Sequence, residues 1–123
     1  MDKAYNQIQQ GTIDWLILGF GQSLTAMTLQ CTGKGTVKDA MDHLDSDSPQ
    51  FLYTRVIVGD FPKQSRFVFI SFCSEFVPVI KRSKLHMCLE SALHHLTLHH
   101  FRLQIDSKSD ILAQVTAVTG TSF

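Results

Sequence analysis

The sequence has no excess of either charge. Lys plus Arg number 11 and Asp plus Glu number 11, so the formal net charge of the 123 residues is zero with histidine neutral. Non-specific binding of nucleic acid depends on neutralising phosphates and therefore needs a basic excess, which this composition does not supply. We expect no nucleic-acid partner, and any electrostatic function must come from local clusters of charge.

Cysteines and long apolar runs are also scarce. The three cysteines, Cys31, Cys73 and Cys88, are odd in number and show no paired spacing, which indicates reduced thiols rather than a disulfide framework. The N-terminal stretch MDKAYNQIQQ has no apolar core of a signal peptide. Apolar runs such as Phe67 to Phe72 are far too short to span a bilayer. These absences predict a soluble cytoplasmic protein, and the length predicts a single domain over residues 1–123.

Apolar periodicity and turn residues predict the element order α-β-β-α-β-β-α-β-α. The first two strands form a hairpin across the turn chemistry of Gly19 to Ser23, and residues 51–58 and 66–72 form a second pair across the loop GDFPKQS. The 67–72 run, apolar at every position except Ser71, is typical of a strand covered on both faces. Interleaved helices and strands with hairpin connections predict an α/β (α+β) fold, with a central mixed sheet of about five strands flanked by helices on both faces.

Several residues mark where the helices begin. Thr36 followed by Asp39 three residues later is close to a capping box for the second helix. Pro78 suits the start of the long third helix, whose apolar residues recur with the 3.6-residue period as far as Leu96. Ser107 or Ser109 is expected to cap the last helix.

The loop TGKGT suggests a phosphate-binding loop but does not complete one. A P-loop needs a glycine five residues before its Gly-Lys pair and a Ser or Thr directly after it. Here Thr28 occupies the first position and Gly35 the second. We therefore expect a plain turn from a strand to a helix.

The histidine-rich segment suggests a metal site, again incompletely. His95 and His99 nearly have the spacing of two ligands on one helical face, with His94 and His100 beside them. No Asp, Glu or Cys nearby completes a zinc-like set. We favour a polar helix end, where histidine interacts with the negative pole of the helix dipole. No nucleophile-elbow spacing is present either. The sequence thus predicts no metal site, no cofactor, no catalytic residue and no enzyme; a metal-dependent enzyme is the least favoured alternative.

Cations gather where the long helix begins, at Lys81, Arg82 and Lys84. The positive end of the helix dipole disfavours them by a few tenths of a kcal/mol per charge, roughly. Lys63 and Arg66 precede the second strand pair's apolar run. If the two groups are adjacent, they form a basic patch suited to an acidic protein surface, an anionic lipid head group or a nucleic acid. The alternative is a solvated helix start with incidental lysines.

The chain resembles the actin-depolymerising-factor homology domain family, and within it the coactosin branch. The resemblance covers nearly the whole chain and is carried by AYNQI, LQCTGKGTVKDAMDHL, LYTRVIVGDFPKQSRFVFISF and, most specifically, EFVPVIKRSK. It implies a central mixed sheet between helices and an actin-binding function. By resemblance, the basic loop and the start of the long helix bind the acidic surface of actin through Lys63, Arg66, Lys81, Arg82 and Lys84. Arg66 occupies the place of the basic residue that coactosins use in that loop.

The departures from the family pattern favour filaments over monomers. The N-terminus lacks the serine near the initiator that depolymerising members use, and the end AVTGTSF is less charged than usual. Phe72 replaces the usual Trp, a conservative core change. Coactosins, as a family expectation, bind filaments without depolymerising them. The resemblance thus implies a monomeric filament-side binder of the actin cytoskeleton. The alternatives are a cofilin-like depolymerising or severing factor and a basic module that binds anionic phosphoinositides.

Overall fold

The chain folds into helices and strands in the predicted order. A computed structural model describes residues 2–20, 27–45, 47–59, 63–96 and 98–120. The helices are α1 (Asp2–Gln9), α2 (Val37–Met41), α3 (Val79–His95) and α4 (Ile111–Thr119), with a 3-10 turn at Lys108–Asp110. The strands are β1 (Trp15–Gly19), β2 (Thr28–Gly33), β3 (Gln50–Val58), β4 (Gln64–Phe72) and β5 (Phe101–Ile105).

The strands form one mixed sheet in the order β2-β1-β3-β4-β5. β1 is antiparallel to both β2 and β3, and β3 is antiparallel to β4, whereas β4 and β5 are parallel. Parallel neighbours need a crossover connection, which α3 supplies between β4 and β5. The predicted mixed sheet and its two hairpins are confirmed, although the turn of the first hairpin lies largely outside the described residues.

Helices cover both faces of the sheet, as predicted. Side chains alternate along β1, so Trp15 and Ile17 join a core with residues of α2 and α4, while Leu16 and Leu18 join a second core with residues of α1 and α3. Burial is complete or nearly so from Phe67 to Phe72 in β4, which confirms that this strand is covered on both faces. The sheet therefore separates two apolar layers. Residues of α3 pack in the second of them.

The local signals for the helix starts are only partly confirmed. The backbone N–H of Thr36 donates to the carboxylate of Asp39 at 2.8 Å, so Asp39 closes the start of α2 as expected. The expectation that Ser107 or Ser109 caps α4 is wrong. A 3-10 turn intervenes, Asp110 directly precedes α4, and the two serine hydroxyls bond to each other at 2.9 Å. Their oxygens are thus engaged one turn too early to cap the helix.

Asp14 fastens the loop before α2 to the sheet. Its carboxylate accepts hydrogen bonds from the Arg55 guanidinium at 2.6 Å and from the Gly35 N–H at 2.8 Å. Burial raises the pKa of Asp14, but the bonds from Gly35 and Arg55 outweigh it and hold the pKa below its usual range. Gly35 adopts φ +127°, a conformation that favours glycine. TGKGT is therefore a strand-to-helix turn whose Gly35 N–H already has a partner.

Candidate functional site

Lys81, Arg82 and Lys84, here called the helix-start cluster, lie in the first two turns of α3. Pro78 occupies the N-cap position without a side-chain cap, and the first turn contains no acidic residue. Pro78 therefore starts the helix as predicted. The cations lie at the positive end of the helix dipole without a compensating acid in that turn.

Lys63 and Arg66, here called the hairpin cluster, lie at the beginning of β4. Lys63 is exposed and directly precedes the strand. Arg66, predicted as the first residue of this strand, lies two residues inside β4, opposite Val56. Its guanidinium donates to the Ser65 carbonyl at 3.0 Å and to the side chain of Gln64. The β3–β4 pairing extends to Gln64, so the strand begins two residues earlier than predicted.

The two clusters do not form one basic patch. β4 runs from Gln64 to Phe72, and α3 begins beyond its far end. The stretch from Arg66 to Phe72 covers about 20 Å, at a rise of about 3.3 Å per residue. The condition for a single five-residue patch is thus not met. The hairpin cluster instead lies at the start of β4, and the helix-start cluster lies beyond the end of β4.

Arg82 has partners within the protein. Its Nη2 atom donates towards the backbone carbonyls of Glu75 and Val77, each at 3.2 Å, and of Ser74 at 3.4 Å. The side chain is half-buried, whereas that of Lys81 is exposed. The three cations of the helix-start cluster are therefore not equivalent. Lys84 is also engaged, since its ammonium lies 5.9 Å from the centre of the Phe20 ring.

Large apolar side chains are exposed next to these cations, and the sequence reasoning missed them. Phe76 is 77% exposed, and Val79 and Ile80 are each 78% exposed. We call these three residues the apolar tip. Met87, 74% exposed, lies two helical turns after Ile80 on the same face of α3. A helical projection could have found Ile80 and Met87, because both lie opposite the apolar stripe that packs on the sheet.

The histidine-rich segment makes structural contacts. His99 Nδ1 lies 3.1 Å from the Leu96 carbonyl, at the end of α3. The backbone N–H of Phe67 donates to the ring Nδ1 of His100 at 3.0 Å, and the backbone N–H of His100 donates to the Phe67 carbonyl at 2.8 Å. Slight burial of the imidazole ring, and then the positive charge of Arg66, lower the pKa of His100, although the residue as a whole is exposed. Within residues 2–20, 27–45, 47–59, 63–96 and 98–120, no group of three His, Cys, Asp or Glu side chains could hold a metal ion. None of the helices in this same part of the chain has the length and apolar character to cross a membrane.

Comparison with known proteins identifies a family and its fold. The sequence profile of the family described as cofilin/tropomyosin-type actin-binding protein matches residues 1–116. Coactosin from Entamoeba histolytica superposes with a TM-score of 0.83 at 21% identity, covering 97% of this chain and 89% of that chain. Cofilin from Streptomyces griseoflavus gives 0.82 at 12% identity, covering 97% and 93%. Human coactosin-like protein gives 0.82 at 16% identity, covering 97% and 89%. No curated protein sequence matches the chain. At such identities the structural likeness shows the fold alone.

Proposed function

The chain belongs to the family of cofilin/tropomyosin-type actin-binding proteins, and on that basis we propose that it binds the sides of actin filaments without strong depolymerisation, as a coactosin-type protein. In this proposal one domain over residues 1–123 acts as a monomer in the cytoplasm, associated with the actin cytoskeleton. Its role is binding rather than catalysis. Residues of the helix-start cluster and of the hairpin cluster supply the contacts.

The family match is the observation that carries the proposal. It extends over residues 1–116 and so includes both basic clusters and the whole of α3. The helix-start cluster adds physical support, because Lys81 is exposed at a helix terminus whose dipole disfavours cations. A negatively charged partner surface would turn that unfavourable position into a favourable one.

The binding mechanism combines charge with apolar contact. Lysines of the helix-start cluster meet acidic groups of actin, and this part of the interaction should weaken as salt rises. The apolar tip supplies the area that becomes buried on binding, since each of its side chains is more than three-quarters exposed in the free protein. Interfaces commonly draw most of their affinity from a few such central side chains.

The preference for filaments over monomers rests on the resemblance to coactosins, and the separation of the two clusters is compatible with it. Contacts about 20 Å apart along β4 are wide enough to fall on different parts of a large partner surface. A filament presents neighbouring subunits at every point along its side, so both clusters can be engaged at once. Simultaneous engagement raises the overall affinity without any new type of contact.

High-speed co-sedimentation with filamentous actin at low and moderate salt tests the proposal. The variant Lys81→Glu/Lys84→Glu should lose pelleting, because both lysines then repel acidic groups. Arg82 is left unchanged, since its guanidinium bonds to backbone carbonyls. Lys34→Glu/Lys38→Glu is the matched control: both lysines are exposed near the start of α2, and the change in net charge is the same. Unchanged pelleting by the first variant, or equal loss by the control, would contradict the assignment of the site.

The distribution of actin separates the alternatives in the same experiment. Pelleting of the protein with no rise in supernatant actin supports the coactosin-type function. A rise in supernatant actin would favour the cofilin-like alternative instead. If the protein does not pellet with actin at all, flotation with vesicles that contain phosphoinositides tests whether the cations serve an anionic lipid surface.

A further inference from the structure

We infer that Arg82 is a positioning residue for the actin contact and does not itself supply a charge to actin. Its guanidinium holds the segment 74–77 in the conformation that presents Phe76 to the partner. The inference rests on the proposed function and deepens it, because it assigns different tasks to the cations of the helix-start cluster. Lys81 and Lys84 meet actin, whereas Arg82 acts through Phe76.

Three carbonyl oxygens converge on one atom of Arg82. Nη2 carries two hydrogens and lies within 3.2–3.4 Å of the carbonyls of Ser74, Glu75 and Val77. Carbonyl oxygens that converge on one point create a negative potential, which attracts a cation. Hydrogen bonds from a charged donor are also stronger than those between neutral groups. The guanidinium therefore links the first turn of α3 to the segment that leads into it.

The segment itself is fixed on both sides of an exposed aromatic ring. Ser74 and Val77 are buried, at 5% and 3% exposure, while Phe76 between them is 77% exposed. The Phe76 N–H donates to the Ser74 hydroxyl at 3.2 Å, and the Val77 N–H donates to the Ser74 carbonyl at 3.1 Å. The backbone thus holds the phenyl ring in water, where it contributes little to the stability of the free protein.

A fixed and exposed aromatic side chain is well suited to binding. Ordering a side chain or loop at an interface costs affinity, and holding it in the bound conformation beforehand removes part of that cost. Aromatic residues also dominate the affinity of many interfaces. Arg82 supplies the ordering for Phe76 before actin arrives. Loss of the guanidinium should therefore weaken binding by freeing the segment, even though the lysines remain.

The first test compares Arg82→Gln with Lys84→Gln, which change the net charge equally and lie two residues apart. Amide hydrogen exchange is measured on the free proteins. Arg82→Gln should accelerate exchange at Phe76 and Val77 several-fold, whereas Lys84→Gln should leave both amides near the wild-type rate. Thermal unfolding confirms that both variants are folded. Equal exchange at these amides in wild type and Arg82→Gln would overturn the inference, whether or not the protein binds actin.

The second test is a double-mutant cycle measured by co-sedimentation. Phe76→Ala should weaken binding about tenfold without destabilising the fold, since the ring is exposed, and Arg82→Gln should weaken it by a similar factor. Adding Arg82→Gln to Phe76→Ala should cost less than about twofold more, because both changes remove the same contact. Lys84→Gln should instead keep its full effect in the Phe76→Ala background. Additive effects of Arg82→Gln and Phe76→Ala, or wild-type binding by Phe76→Ala, would refute the inference. Failure of the wild-type protein to pellet would instead refute the proposed function, and the exchange comparison would still decide the role of the guanidinium in the segment.

Discussion

Replacing Ile80 by serine should weaken filament binding about 5- to 30-fold without destabilising the protein. Ile80 is 78% exposed, so the free fold gains little from its side chain. Full burial of an isoleucine side chain is worth roughly 1.5–3 kcal/mol, so an interface that covers most of this one gains about 1–2 kcal/mol from it. Since about 1.4 kcal/mol corresponds to a tenfold change in affinity, the expected loss falls in that range.

The assay is a co-sedimentation isotherm in which filament concentration is varied at one fixed salt concentration, with thermal unfolding measured on the same samples. Leu29→Ser provides the control. Leu29 is 39% exposed on the edge strand β2, which lies at the other side of the sheet from β4 and β5. Its replacement should leave affinity unchanged. The reasoning is refuted if Ile80→Ser binds filaments as tightly as the wild-type protein, or if Leu29→Ser loses as much affinity.

Two further predictions concern stability and its dependence on pH. The lowered pKa of Asp14 means that its contribution to stability is present above the unfolded pKa of about 3.9 and is lost as the pH falls through the folded value. Asp14→Asn should cost about 1–2 kcal/mol at pH 7 and should flatten the acid limb of a denaturant-midpoint titration; an acid limb of unchanged slope would contradict this. The lowered pKa of His100 also makes the protein less stable as the pH falls, because only the neutral ring can accept the hydrogen bond from the Phe67 N–H. That contribution is present above about pH 6.5 and is lost as the pH falls below it, by less than about 1 kcal/mol since the residue is exposed. His100→Gln should reduce the difference in unfolding midpoint between pH 7.5 and 5.5, and an unchanged difference would show that other groups cause it.

The helices and strands could be predicted because their signals are local. The apolar stripe of α3, from Leu85 to Leu96, repeats with the helical period, and the structure buries or half-buries it against the sheet. Residues 67–72 are apolar except for Ser71 and show no alternation of polar and apolar residues, which is typical of a strand covered on both faces. Ser107 and Ser109 show the limit of such signals. Both are acceptable cap residues, yet Ser107 precedes a 3-10 turn and Asp110 is the residue that directly precedes α4.

The sequence shows where the basic residues lie along the chain, but it does not show how far apart they lie in the folded protein. Lys63 and Lys84 are close in sequence, yet β4 carries the chain about 20 Å before α3 begins. The sequence also could not show that Arg82 turns back towards the carbonyls of Ser74, Glu75 and Val77, because a guanidinium can reach solvent or backbone equally well from a helix start. The exposure of Phe76 had no sequence signal, since the residue lies in the short segment between β4 and α3 and belongs to no apolar period.

The sequence by itself determined the elements, their order and the two-faced sheet, because each of these depends on short-range periodicity and residue types. The family was indicated by the resemblance of whole segments, and the profile match over residues 1–116 shows it. The tertiary structure decided which cations lie together, which one is held by the backbone and which apolar side chains remain in water. Those properties depend on how far β4 extends and where the β4–α3–β5 crossover places the helix start, and so on contacts between residues that are distant in sequence.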